Sequence, residues 1–120
     1  KNLYLDSLIL PTALNDEFYK NIEVLSPFGA GNPEPKFLIE DVKLVNSNIV
    51  ANQHIKAIFY SKSNTAVKAI AFNSVGTILE SYLIKNNKST MNIVGTLISN
   101  NWNGKSNIEF VINDISVNNI

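Results

Sequence analysis

At 120 residues, 45% hydrophobic and 17% charged, the chain has the size and composition of one folded domain and is too apolar to be disordered. Ten basic residues balance ten acidic ones, so it lacks the overall basic excess of a strong nucleic-acid binder. Any such binding must come from a local patch, from stacking, or from other domains. The absence of cysteine excludes disulfides and thiolate zinc sites and fits a reducing, cytoplasmic setting. No apolar run approaches the ~20 residues of a membrane span, and no basic leader precedes an apolar stretch. Residue 1 is Lys and the single methionine is Met91, which suggests a processed product or a piece of something longer.

Residues 3–10 are short, apolar-rich and closed by Pro11, and read as a strand or extended entry with no obvious partner nearby. They suit the last strand of a preceding domain. From 14 to 25 the apolar positions Leu14, Phe18, Ile22 and Leu25 recur at helical spacing, with Thr12 or Asn15 as N-cap and Pro27 as stop. Residues 26–37 then hold three of the four prolines and two of the five glycines. Proline fixes φ and glycine reaches φ values closed to other residues, so this stretch specifies a loop shape and no regular element. Pro27, Phe28, Gly29, Gly31, Asn32 and Pro33 are its candidate geometry-setting residues.

Beyond the loop the period falls to two. Residues 37–50 form a long first strand whose alternation breaks near Glu40 and Asp41, the mark of a bulge, and residues 46–48 begin a turn. Residues 53–60 alternate, with Ile55, Ala57 and Phe59 on one face and His54, Lys56, Ile58 and Tyr60 on the other. A polar turn at 61–64 leads to a third strand at 67–72. Val75, Ile78, Leu79, Tyr82 and Leu83 then follow helical spacing, with Asn73 or Ser74 as cap and the 85–88 run as terminator. Met91, Ile93, Gly95 and Leu97 alternate with Asn92, Val94, Thr96 and Ile98 in a fourth strand. Asn103-Gly104 signals a type I′ hairpin, and Ile108, Phe110 and Ile112 face inward in a fifth strand. The β-β-β-α-β-β order is that of the OB-fold, a five-stranded Greek-key barrel. Another five-stranded α+β domain with the same order is the alternative.

The residues offer little for catalysis. His54 is the one histidine, the acids are scattered without cage spacing, and Pro33 and Pro35 stand where a phosphate loop after Gly29-Ala30-Gly31 would need a helix. Binding is better served. An OB barrel takes oligonucleotides on the face of its second and third strands, flanked by two hairpin loops. Here that surface comprises His54, Lys56 and Tyr60, Lys68, the 46–52 loop, and the 100–105 loop with Trp102, Asn103 and Lys105. Stacked bases and cation-tracked phosphates hold single strands, and Trp102 beside Lys105 at a hairpin tip supplies both. Each residue also has a plainer use. Trp102 could cover the barrel end, His54 could be a half-buried surface residue, the lysines could be solvated, and Tyr60 could extend the core.

The stretch Pro27-Phe28-Gly29-x-Gly31-Asn32-Pro33-Glu34-Pro35-x-Phe37 resembles the joint before the OB domain of RecJ-type single-strand-specific exonucleases. His54-Ile55-Lys56, Ala69-Ile70-Ala71-Phe72, Asn100-x-Trp102-Asn103-Gly104 and Asp114-Ile115 fall in that family's order, so the resemblance covers residues 3–115. It implies the C-terminal OB region of a 5′→3′ single-stranded-DNA exonuclease of repair and recombination, using manganese or magnesium in a separate aspartate- and histidine-rich core. No Asp-His-His triplet occurs here, so the resemblance carries no activity, metal site or cofactor onto this chain. It does imply DNA holding by His54, Lys56, Trp102, Asn103 and Gly104. Position 68, often acidic in that family, is Lys. The expected division is 1–26 as strand and helix from the end of a preceding domain, 27–36 as connector, and 37–117 as OB domain. Expected partners are single-stranded DNA, the catalytic core of the same parent and single-stranded DNA-binding protein, with no membrane. A structural or protein-docking module is the other reading.

Overall fold

In the computed structural model, which describes residues 7–29, 31–84, 89–102 and 104–118, the period-two stretches become strands and the period-3.6 stretches helices. β1 (Ser7–Leu8) and a 3-10 turn at Pro11–Ala13 lead into α1 (Asp16–Glu23). Then follow β2 (Phe37–Val50), β3 (His54–Tyr60), β4 (Ala66–Ala71), α2 (Ile78–Leu83), β5 (Met91–Trp102) and β6 (Lys105–Val117). β2, β3 and β4 pair antiparallel in turn, β4 pairs parallel with β6, and β6 pairs antiparallel with β5. β5 returns to β2, which closes the five strands into the barrel of an OB-fold.

Closure depends on β2 serving two neighbours. Its first part pairs with β5, from Phe37↔Gly95 to Val42↔Met91. Its second part pairs with β3, from Lys43↔Tyr60 to Val50↔His54. The exchange takes place at the bulge expected near Glu40 and Asp41, where the register shifts between Ile39 and Val42 and Asp41 adopts a φ of 57°. Inward positions then stack into the core: Ile39, Val42, Ile55, Phe59, Val67, Met91, Ile93 and Phe110 are all fully buried. Leu83 of α2 is fully buried against them, and its carbonyl accepts a hydrogen bond from Ser47 Oγ.

Four expectations change. Residues 46–48 are strand, with Asn46, Ser47 and Asn48 opposite Ile58, Ala57 and Lys56. Asparagine favours turns, but a second register shift between Leu44 and Asn46 lets these residues continue the ladder with β3. The turn is confined to 51–53, where Ala51 and Asn52 take positive φ and Gln53 N–H donates to the Val50 carbonyl (3.1 Å). α2 starts at Ile78, capped by Thr77. Ser74 is occupied, its Oγ donating to the Ala71 carbonyl (2.8 Å), and Val75 N–H is drawn to the Gln53 carbonyl (3.2 Å). α1 is shorter than 14–25. Asn15 caps it through the Phe18 N–H, and Leu25 lies beyond its end, exposed.

The fourth change concerns residues 3–10. Their described part finds its partner within this chain, as Ser7 and Leu8 pair parallel with Phe37 and Leu38 and Ile9 enters the core. Leu14, Phe18 and Ile22 follow it onto the barrel, and the Phe18 ring meets Phe37 at 5.5 Å. The expected helix terminator at 85–88 and Asn103 of the hairpin lie outside the described residues.

Gly95 marks a close approach between β5 and β6. A Cβ there would lie 1.8 Å from the Val111 carbonyl oxygen and 3.0 Å from the Phe110 ring. Backbone cannot yield as a flexible side chain can, so β5 and β6 would have to separate. Gly95→Ala is expected to destabilise the chain by at least about 2 kcal/mol in urea or thermal unfolding. A variant as stable as the parent would show that the strands part without cost.

Candidate nucleic-acid interface

Because side chains alternate along a strand, the residues of β3 and β4 that do not enter the core form one outward face. The register places Lys56 opposite Ile70, Ile58 opposite Lys68, and Tyr60 opposite Ala66. Ile55 pairs with Ala71, so His54 stands opposite Phe72, just past the end of β4. Lys56 and Lys68 are therefore diagonal neighbours, with backbones about 7–8 Å apart, one on each strand. On the β2 side, Asn48 stands opposite Lys56 and Asn46 opposite Ile58. From β6, Glu109 completes a cleft of about 260 Å³ lined by Asn46, Asn48, Lys56, Ile58, Lys68 and Glu109.

The structure thus gathers two of the proposed contacts, Lys56 and Lys68, in one cleft. Both are exposed, and neither forms an ion pair with a described residue. The others are distributed around it. His54 is half-buried and braced, with Nδ1 accepting the Asn73 N–H (2.9 Å) and its ring meeting Phe72 edge-on at 5.4 Å and 79°. Tyr60 is 45% exposed and opens onto a different groove, beside Lys43, Val45 and Lys62, that shares no residue with the cleft. Lys105 is exposed, and its backbone pairs with that of Trp102 across a turn in which Gly104 has a φ of 76°. The Trp102 side chain and Asn103, both proposed contacts, lie outside the described residues.

Sequence reasoning passed over two residues. Phe72 ends a stretch whose apolar character predicts burial, yet it is 47% exposed. The signal was available in parity, since Phe72 shares the outward face with Lys68 and Ile70. Glu109 carried no signal at all. Only the parallel pairing of β4 with β6 brings it beside residues from much earlier in the chain.

The connector is held by Asn32. Its Nδ2 donates to the carbonyls of Leu25 and Pro27, and its backbone exchanges two hydrogen bonds with Gly29 (2.8 and 3.1 Å). The Ser26–Pro27 peptide is cis, Phe28 is half-buried, and Pro33 is exposed. A Cβ at Gly29 or Gly31 would meet no atom of the described residues within 4 Å, so packing among them does not require glycine there. Lys36 Nζ donates to Asn113 Oδ1 (2.7 Å), which ties the end of the connector to β6. Among the described residues no group of His, Asp and Glu is arranged to hold a metal ion, and no helix is long and apolar enough to cross a membrane.

Comparison with known proteins places these features in context. The family model for the RecJ OB domain matches residues 5–114. The structure of RecJ from Thermus thermophilus with Mg2+ superposes with a TM-score of 0.65 at 24% identity, over 92% of this chain and 16% of that one. The same protein with Mn2+ gives 0.64 at 22% identity, over 97% and 16%. A putative aspartyl-tRNA synthetase from Leishmania major Friedlin gives 0.61 at 14% identity, over 92% and 20%. The chain thus spans a small part of each of these proteins, and at such identities the likeness is one of fold. Comparison with curated protein sequences gives no match.

The His54 brace has a measurable consequence. His54→Ala removes the acceptor of the Asn73 N–H and the edge contact with Phe72. It is expected to lower stability by about 1–2 kcal/mol, read from the urea midpoint. An unchanged midpoint would mean that water replaces both interactions.

Proposed function

The chain belongs to the RecJ OB-domain family, and from that premise we propose that it is a single-stranded-DNA-holding module of a RecJ-type 5′→3′ exonuclease. The observation that supports this reading is the outward face of β3 and β4, where Lys56 and Lys68 form no ion pair with a described residue and share the face with exposed Phe72 and Tyr60. Single strands are held by bases stacked on aromatics, at about 1–3 kcal/mol each, and by cations following the phosphates. The face supplies both. His54, which meets the Phe72 ring edge-on, stands among the proposed contacts, as do Trp102, Asn103 and Lys105.

Cleavage belongs elsewhere in this reading. A separate core of the longer protein carries the chemistry with manganese or magnesium, and the module feeds it DNA during cytoplasmic repair and recombination. Residues 27–36 then set the barrel (37–117) relative to that core. Gly29 and Gly31, with open space where a Cβ would be, leave room for the backbone of another domain to approach. A second reading, bracing the core or docking a partner such as single-stranded DNA-binding protein, draws support from Val24 and Leu25. These are 81% and 55% exposed beside the connector.

Fluorescence anisotropy with labelled oligo-dT tests the first reading. Lys56→Ala and Lys68→Ala are each expected to flatten the log–log salt dependence by about 0.7. Phe72→Ala and Trp102→Ala are each expected to cost about 1–3 kcal/mol of binding with the salt slope unchanged. Failure to bind even at low salt would favour the docking reading.

A further inference from the structure

Glu109 is the group in the cleft that phosphate binding does not explain. It is 8% exposed, on β6 opposite Ile98, yet it lines the cleft beside Lys56 and Lys68. Asn100 Nδ2 donates to its Oε2 (3.2 Å). Among the described residues the carboxylate forms no other hydrogen bond, and neither cleft lysine comes within 4.0 Å of it. Among the described residues no side-chain oxygen is both enclosed and unpartnered, so Oε1 keeps some solvent contact, and Glu109 lines the cleft. A largely buried carboxylate with one neutral donor is costly, and its sign opposes any phosphate entering the cleft.

We infer that this cleft is a nucleobase pocket in which Glu109 selects a base presenting an amino group, favouring cytosine over uracil or thymine. The inference rests on the single-strand-binding reading above and adds base preference to it. An ionised carboxylate only accepts hydrogen bonds. The cytosine N4 amino group donates to such an acceptor, whereas uracil and thymine present the O4 carbonyl at the same position. Facing Glu109, O4 would set two acceptors against each other. Ile58 supplies apolar wall for the ring, and the amides of Asn46 and Asn48 can both donate and accept along the remaining edge. Lys56 and Lys68 then serve the flanking phosphates, which keeps anions apart from the carboxylate. A site built to bond one polar edge discriminates strongly, because the wrong partner leaves its buried group unpaired.

The test compares oligo-dC with oligo-dU of equal length on the 120-residue chain at neutral pH and low salt. Their bases differ only at that edge. Binding to oligo-dC is expected to be roughly tenfold tighter, and Glu109→Gln, which can donate to O4, is expected to bring the ratio close to one. Equal wild-type affinities with salt-sensitive binding intact would overturn the base preference and leave the DNA-holding reading standing. A Glu109→Gln variant that binds both oligomers more tightly by the same factor, with the ratio preserved, would also overturn it and reduce Glu109 to an electrostatic brake. No binding of either oligomer at any salt would overturn both readings together.

Discussion

At Asp41 the backbone turns through a φ of 57°, and that step lets β2 leave β5 and pair with β3. A barrel of five strands needs one strand long enough and bent enough to belong to both sides, and the bulge supplies the bend. A left-handed conformation at a residue other than glycine costs of order 1 kcal/mol or more, least for Asn and Asp. Here a polar network offsets it. Asp41 N–H donates to Asn92 Oδ1 (3.1 Å), and Asn118 Nδ2 donates to Asp41 Oδ1 and Thr90 Oγ1 (2.9 Å each). Each such bond contributes about 0.5–1.5 kcal/mol net, so the network holds the strained step and ties the start of β5 to the chain after β6.

The candidate site follows from this geometry. With β2 committed to β3 beyond the bulge, its asparagines are carried to the edge of the face that bears Lys56 and Lys68. Closure through β5 in turn forces β6 beside β4, and that pairing delivers Glu109. The inner face of the same strands has no such freedom. Ile55, Phe59, Val67 and Phe110 are fully buried, so the register of the outer face is fixed by the packing of the inner one. A slip of one residue would turn Lys56 and Lys68 inward and expose the core.

The connector and α1 form a second layer that is tied to the barrel without entering its ladder. Phe18 against Phe37 and Lys36 against Asn113 fasten its two ends, and Asn32 holds the turn between them. The prolines and glycines of residues 26–37 are backbone specialists. In the structure the side-chain amide of Asn32 gathers the surrounding carbonyls, and the two described glycines face open space.

The sequence by itself determined the local elements. Period-two alternation marked the inward residues of β3 and β6, period 3.6 located both helices, and broken alternation at Glu40-Asp41 marked the bulge, because each reports which side of one element meets water. The outward placement of Lys56 and Lys68 was legible for the same reason. Tertiary structure alone decided the rest. The continuation of β2 through Asn46–Asn48 depended on a partner strand that overrode turn propensity, and the start of α2 depended on the Gln53 carbonyl reaching Val75. The pairing of Ser7-Leu8 with Phe37-Leu38 and the arrival of Glu109 beside Lys68 join residues that are distant along the chain. Periodicity carries no information about such meetings. They are set by which strands must pair for the barrel to close.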